Sequence, residues 1–162
     1  MAISQGKKAV RHGHILKNQL EELFADNGYM VVPHGVYKKS GNLPAKLVVK
    51  NFPFQSIYQH RGRTDFLLMN ERLRRRIRID CRWQQSSVSA DAKFPYMYLN
   101  AIYGYKESEV IFIIDGGGSQ PRARRWLRKA ADSHWLVDKE HPKTIRVMTL
   151  EQFKDYFLKN LV

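Results

Sequence analysis

Two neighbouring stretches with the patterns of β-strands constrain the fold of this chain more than any other feature. Within Arg63–Gln84, an apolar run follows Asp65, and a second run alternates between charged and apolar residues. Successive side chains of a strand point to opposite faces. In the second run one face carries Ile77, Ile79 and Cys81, and the other carries Arg76, Arg78, Asp80, Arg82 and Gln84. We therefore expect two antiparallel, half-buried strands joined by a short hairpin, each of which delivers one aspartate.

Asp65 and Asp80 have the chemistry of a metal site. Carboxylate oxygens are the ligands that Mg²⁺ prefers in proteins. An ion held by two acids at adjoining strand ends can polarise a phosphoryl oxygen and lower the pKa of water, and a nearby cation can stabilise the charge that develops on the phosphate. Two structural aspartates, each paired with an arginine, fit the spacing equally well. The spacing alone leaves both readings open.

The charge of the chain indicates a polyanionic partner. Its 162 residues carry a formal net charge of +13, and such a charge costs self-repulsion in the compact state unless a polyanion such as nucleic acid offsets it. Solubility alone is the alternative explanation.

The single cysteine, Cys81, fits a reducing compartment, and the sequence shows neither a signal peptide nor a membrane-spanning run of about 18 apolar residues. The sequence thus predicts a cytoplasmic protein without a membrane partner.

The order of the expected elements predicts an α/β fold, with helices that cover a mixed sheet. Residues 1–13 are expected to form a basic N-terminal arm, and residues 14–162 a single domain. The predicted helices cover residues 14–28, 91–105, 121–131 and 150–161. The predicted strands cover residues 29–32, 47–49, 65–69, 76–84, 110–114 and 145–148, with a loop at residues 37–44.

These features resemble the PD-(D/E)XK nuclease superfamily. Asp65, in the run R-T-D-F-L-L, corresponds to the acid on one core strand. The run D-C-R-W-Q at residues 80–84 corresponds to the next strand, with its (Asp/Glu)-x-Lys motif and following glutamine. A first helix that ends in a glycine–aromatic pair, here Gly28-Tyr29, also fits the family. The resemblance implies a restriction-endonuclease-like core, in which a mixed β-sheet is flanked by helices.

The resemblance also implies an activity, that of a metal-dependent endonuclease that hydrolyses phosphodiester bonds in DNA. Its cofactor would be Mg²⁺, with Mn²⁺ as a substitute, held by Asp65, Asp80 and, from the first helix, Glu21. A solvated helix glutamate is the alternative reading of Glu21. An RNA substrate stays open because no base-reading module is visible. A homodimer is suggested by analogy with nucleases that cut both strands.

One position departs from the family pattern. Arg82 stands where the family has lysine, and a guanidinium can hold a phosphate but cannot readily accept a proton. Arg82 and Gln84 would then contact the phosphate and a water molecule, while Lys93 in the following helix is an alternative source of an amine. The same departure supports a second hypothesis, in which the chain is a catalytically degenerate DNA-binding subunit on the same fold.

Several arginines are expected to contact nucleic acid: Arg61, Arg63, Arg76, Arg78, Arg122 and Arg125. If they surround the acidic pair, they neutralise phosphates and make binding steeply dependent on salt. Arg122 and Arg125 lie near one face of their predicted helix together with Lys129, which makes that face a candidate backbone-contacting surface.

Overall fold

Six strands form one mixed β-sheet, in which the order across the sheet is the order along the chain. A computed structural model of the protein describes residues 5–83, 92–117 and 121–162. The strands in these residues are β1 (Met30–Pro33), β2 (Lys46–Gln55), β3 (Arg61–Asn70), β4 (Arg75–Trp83), β5 (Glu109–Asp115) and β6 (Thr144–Met148). The helices in these residues are α1 (Gln5–Asp26), α2 (His34–Lys39), α3 (Lys93–Tyr103), α4 (Pro121–Asp132) and α5 (Leu150–Asn160). β2, β3 and β4 pair antiparallel, whereas β1, β5 and β6 join the sheet through parallel pairs.

Helices cover both faces of this sheet. On one face, α1 and α5 contribute the buried side chains Leu16, Leu20, Phe24, Phe153 and Phe157. On the other face, α3 and α4 contribute Phe94, Tyr98, Ala101, Leu127 and Ala131. The apolar run of β5 is buried against both layers, as expected for a parallel strand covered on each side. The predicted α/β class and the predicted antiparallel β3–β4 pair are confirmed.

Helix α1 begins earlier than the sequence predicts. It starts at Gln5 rather than His14, so residues 5–13, which we expected to form a basic arm, are helical. Lysine, alanine and arginine are good helix formers, and the His12 ring stacks on Trp83 at 5.0 Å between centroids. This long-range contact anchors the first part of the helix, and the sequence pattern alone does not reveal it.

Strand β2 is longer than the strand predicted at residues 47–49, because it continues through Pro53. Proline has no N–H to donate and is tolerated at the edge of a sheet. β1 pairs with β2 only as far as Lys50. The part of β2 that contains Pro53 therefore does not pair with β1. The loop predicted at residues 37–44 is shorter than expected, since α2 ends only at Lys39.

The β2–β3 hairpin bends at Asn51. Lys50 reaches Glu21 on α1, with 3.0 Å between Nζ and Oε2. Residues two apart in a regular strand share a face, but Phe52 packs on the opposite face with Val32, Leu47, Val49 and Leu67. Asn51 lies between them with a φ of 53°, in the left-handed region that non-glycine residues rarely adopt. The alternation of side chains between the two faces therefore shifts by one residue at Asn51. The part of the hairpin beyond Asn51 turns toward the layer formed by α3.

Arg78 holds the bent hairpin and is not a nucleic-acid contact, which corrects the prediction from the sequence. Only 2% of the residue is exposed. Its guanidinium forms an ion pair with Glu107, with 2.7 Å between Nη2 and Oε2. Nη1 donates to the backbone oxygen of Phe52 on β2 at 3.2 Å and to the hydroxyl of Thr64 on β3 at 3.1 Å. Arg78 thus ties β4 to both strands of the hairpin.

We predict that Arg78→Ala lowers the free energy of unfolding by about 3–5 kcal/mol, because it removes the close ion pair of the buried Glu107 carboxylate. Arg76→Ala is the control, since Arg76 approaches the same carboxylate at 3.9 Å but is more than half exposed. That control should change the free energy by no more than about 0.5 kcal/mol. Urea denaturation of the three proteins measures both values, and equal effects of the two substitutions would contradict the role assigned to Arg78.

Candidate active site

The candidate site lies where β3 and β4 separate. Their ladder runs from Asn70 opposite Arg75 to Phe66 opposite Ile79. Asp65 is the next residue along β3, and its Oδ2 accepts a hydrogen bond from the backbone N–H of Cys81 at 2.7 Å. A buried backbone N–H needs an acceptor, and here the Asp65 carboxylate serves where the strands no longer pair. The carboxylate is thereby held in the fork between the two strands.

Asp80 lies beside Asp65 and is more deeply buried, with 2% of the residue exposed. Its Oδ2 accepts a hydrogen bond from Arg82 Nη2 at 2.9 Å. Its Oδ1 is buried and has no hydrogen-bond partner in the described part of the chain. Burial raises the pKa of Asp80 to about 7; the positive charge of Arg82 opposes this shift, and the negative charge of Asp65 adds to it. The two acids therefore form one electrostatic unit.

Two cations accompany the acids. Arg82 pairs with Asp80, and its Nη1 also donates to the backbone oxygen of Cys81 at 3.2 Å. Lys17 on α1 places its Nζ 2.5 Å from Asp65 Oδ1 and stays 38% exposed. Lys17 is the residue that the sequence reasoning missed. Lys17 lies one helical turn before Glu21, on the same margin of the buried stripe of α1. Because this position places it on the same side of the helix as Glu21, Lys17 could have been considered as a site residue for the same reason.

The donor set suits a divalent cation. Two carboxylates share the site, and the unpartnered Oδ1 of Asp80 is a buried acceptor that lacks a donor. Such a group costs free energy unless a ligand or ion satisfies it. Oxygen ligands of this type match Mg²⁺ or Mn²⁺. Asp65 and Asp80 therefore fit a divalent cation of this type.

The structure does not bring Glu21 into the acid pair. Its carboxylate is occupied by the ion pair with Lys50. Among the described residues, the group of three metal-binding side chains with ligand atoms within 4.8 Å is Asp138, Glu140 and His141. These three are exposed and follow α4 in the chain, so they are no part of the site at Asp65 and Asp80.

The other residues named from the sequence have different positions. Lys93 is exposed at the start of α3, and its side chain makes no ion pair with the described residues. Gln84 lies outside the described residues. Of the arginines expected to contact nucleic acid, those that are exposed, and so accessible, are Arg61, Arg63, Arg76, Arg122 and Arg125.

Comparison with known protein families gives one match. A family model described as a PD-(D/E)XK nuclease superfamily domain matches residues 8–161. The chain has no significant match among curated proteins or among solved structures. None of the helices in the described residues is long and apolar enough to cross a membrane.

We predict that Asp80→Asn stabilises the metal-free protein above pH 7. The pKa of Asp80 is raised from 3.8 to about 7, so the folded state favours the protonated acid. The free energy of unfolding should therefore fall as the pH rises from about 4 to about 7, and the variant should escape this loss. Above pH 7 we expect the variant to be more stable by about 1–3 kcal/mol, measured by thermal unfolding in EDTA.

The exposed Asp155→Asn is the matched control for this titration, and it should follow the wild-type pH dependence. Addition of Mn²⁺ should raise the Tm of the wild type and of the control, but not that of Asp80→Asn. A difference between wild type and Asp80→Asn that does not change between pH 4 and pH 8 would contradict the shifted pKa.

Proposed function

Because the chain belongs to the PD-(D/E)XK nuclease superfamily, which implies metal-dependent nuclease activity, we propose that it is an endonuclease that hydrolyses DNA. The observation that carries this proposal is the buried, unpartnered Oδ1 of Asp80 next to the carboxylate of Asp65. The proposed metal ligands are Asp65 and Asp80, with Mg²⁺ as the cofactor and Mn²⁺ as a substitute. Glu21 would join them only by giving up its ion pair with Lys50.

A divalent cation supplies, when bound, positive charge that polarises the phosphoryl group and acidifies water. The residues of the chain hold and orient the reacting groups. Asp65 is fixed by the Cys81 N–H, and Asp80 is fixed by Arg82. Arg82 keeps its charge throughout, so its proposed part is to offset the negative charge that develops on the phosphate.

Lys17 is our candidate for the role that the lysine of the (Asp/Glu)-x-Lys motif has in the family. The guanidinium of Arg82 is already bound to Asp80, and the exposed Lys93 makes no ion pair with the described residues. The Lys17 ammonium already lies against Asp65 and is partly exposed to solvent. We propose that it donates a hydrogen bond to the attacking water or to a phosphate oxygen once substrate is bound.

Basic residues on both sides of the acid pair support a DNA substrate. Arg61 and Arg63 lie on the outer part of the β2–β3 hairpin, and Asp65 follows them on the same strand. Arg122 and Arg125 lie at the start of α4, which follows β5, and the end of β5 pairs with the end of β4. Positively charged groups on both sides of the acid pair attract a polyanion, and with a net charge of +13 the affinity should fall steeply with salt.

A catalytically degenerate DNA-binding subunit is the second candidate function. The observation that favours it is the position of Arg82, which stands where the family has lysine and whose guanidinium is bound to Asp80. Such a protein would keep the basic surface and bind DNA without cutting it.

We predict that the wild-type protein nicks or cuts supercoiled plasmid DNA in Mn²⁺ or Mg²⁺ and that Asp80→Ala reduces this rate by roughly 100-fold or more. The reason is that Asp80→Ala removes the buried carboxylate on which metal binding depends. Gel electrophoresis of a time course measures the rates, and Asp155→Ala is the matched surface control.

Full cleavage by Asp80→Ala would contradict the assignment of the site. Salt-sensitive DNA binding by the wild type, without cleavage in any divalent metal, would instead support the degenerate subunit, as would a gain of cleavage in Arg82→Lys.

We predict that Lys17→Ala lowers kcat by roughly 100-fold with little change in KM, because the proposed hydrogen bond strengthens in the transition state. Lys17→Arg should not restore the rate if a compact ammonium is needed. The rise in Tm caused by Mn²⁺ should persist in Lys17→Ala, because the variant removes a cation that competes for Asp65. The exposed Lys159→Ala is the control, and a kcat equal to that of this control would exclude Lys17 from the reaction.

A further inference from the structure

A stripe of basic and aromatic side chains runs along the exposed side of α4. Arg122, Arg125, Trp126 and Lys129 follow one another at spacings that place them on one helix face. The opposite side of the helix is buried through Leu127, Ala130 and Ala131. Within the described part of the chain, Arg122, Arg125 and Lys129 form no ion pair, so no carboxylate of that part offsets their charges.

The stripe ends at a second tryptophan, Trp135, which the backbone presents to solvent. His134 and Leu136 on either side of it have φ angles of 52° and 60°. The left-handed region costs a non-glycine residue about 1–3 kcal/mol and persists only where the surroundings impose it. The position of Trp135 is fixed by the Tyr98 hydroxyl, which donates to the Trp135 carbonyl at 2.7 Å. The residues on both sides of Trp135 thus have strained backbone conformations, and Trp135 itself is 43% exposed.

Trp126 and Trp135 form two walls of one open cavity. Their rings are 5.8 Å apart at an interplanar angle of 77°, and Trp135 stacks on Tyr98 at 5.7 Å. The cavity measures about 210 Å³ and is also lined by Lys129, Ala130 and Ser133. Aromatic faces, a hydroxyl and an ammonium group thus meet at one place, at the end of the helix face that carries Arg122 and Arg125.

We propose that this cavity binds an unpaired nucleobase, and that the stripe along α4 holds the backbone of the single strand that carries it. Base–aromatic stacking accepts any base, and phosphates need cations along the path of the strand. A duplex keeps its base faces covered and cannot offer one to Trp126 and Trp135. The density of positive charge around the cavity argues against an apolar protein partner.

This inference rests on the proposed nuclease function, because it concerns how the substrate is held. α4 begins just beyond the end of β5, which pairs with the end of β4 near Trp83. A single strand of nucleic acid bound along α4 therefore leads toward the end of β4 at which Asp80 lies. The structure points to a substrate with an unpaired segment, such as a flap, an overhang or a loop, next to the cleavage position.

The test uses the full chain with Asp80→Asn, in EDTA, so that no cleavage occurs. Trp83→Phe is added, which leaves Trp126 and Trp135 as the fluorescent reporters among the tryptophans of the chain. Single-stranded oligonucleotides of about 15 nucleotides, one of deoxythymidine and one of uridine, should quench the tryptophan fluorescence. They should also bind more tightly than a blunt duplex of the same length, and the two oligonucleotides separate a DNA from an RNA preference.

Trp135→Leu should weaken single-strand binding by roughly tenfold, because it removes one stacking face, and should leave duplex binding unchanged. Lys129→Glu keeps both rings and should weaken binding of the single strand as well, which guards against a folding defect in Trp135→Leu. Tyr103→Ala, which removes an aromatic ring that is exposed on another helix, is the matched control and should change neither affinity.

Equal affinity for duplex and single strand, or an unchanged single-strand affinity in both Trp135→Leu and Lys129→Glu, would overturn the proposal. These binding results do not depend on cleavage. Loss of plasmid cutting in every metal would refute the endonuclease while leaving single-strand binding intact, and the reverse pattern would refute the cavity alone.

Discussion

The separation of β3 from β4 is the constraint on which the candidate site depends. A continuous ladder would satisfy the Cys81 N–H with a backbone oxygen and would leave no room for a side chain between the strands. The hairpin instead bends at Asn51, and the buried Arg78 fixes the bend through Glu107 and the two strands of the hairpin. The Asp65 carboxylate then takes the free N–H. A structural ion pair on one side of the sheet thus creates the fork in which the acids meet.

The electrostatics of the fork are unfavourable in the absence of a bound cation. Asp80 is buried next to a second acid, so its pKa rises toward neutrality, and one of its oxygens has no donor among the described residues. Arg82 and Lys17 compensate in part, each bound to a different aspartate. Burial of an acid without full compensation is the kind of local cost that proteins accept at functional sites. Here it gives the site an affinity for added positive charge.

The sequence predicted the parts of the fold that depend on local periodicity. The alternation in β4 correctly separated Ile77, Ile79 and Cys81 from Arg78 and Asp80, and the apolar run of β5 correctly indicated a strand buried on both faces. The sequence did not predict contacts that only the folded chain creates. Arg78 carries the same charge as its exposed neighbour Arg76, but in the folded chain it packs on Phe52 of the bent hairpin and on Tyr105 and pairs with Glu107. In the sequence, Lys17 likewise cannot be distinguished from other helix lysines, because its contact with Asp65 forms only when α1 packs over the fork.

We propose that Asp65 and Asp80 hold a divalent metal, and anomalous diffraction from crystals grown with Mn²⁺ would locate it. We expect a Mn²⁺ peak in the fork between β3 and β4, about 2.1 Å from Asp80 Oδ1 and from one oxygen of Asp65. In the same crystals Lys17 should have moved away from the Asp65 oxygen that the metal takes. A fork without a peak at saturating Mn²⁺, with Lys17 still bound to Asp65, would show that the two aspartates are not metal ligands.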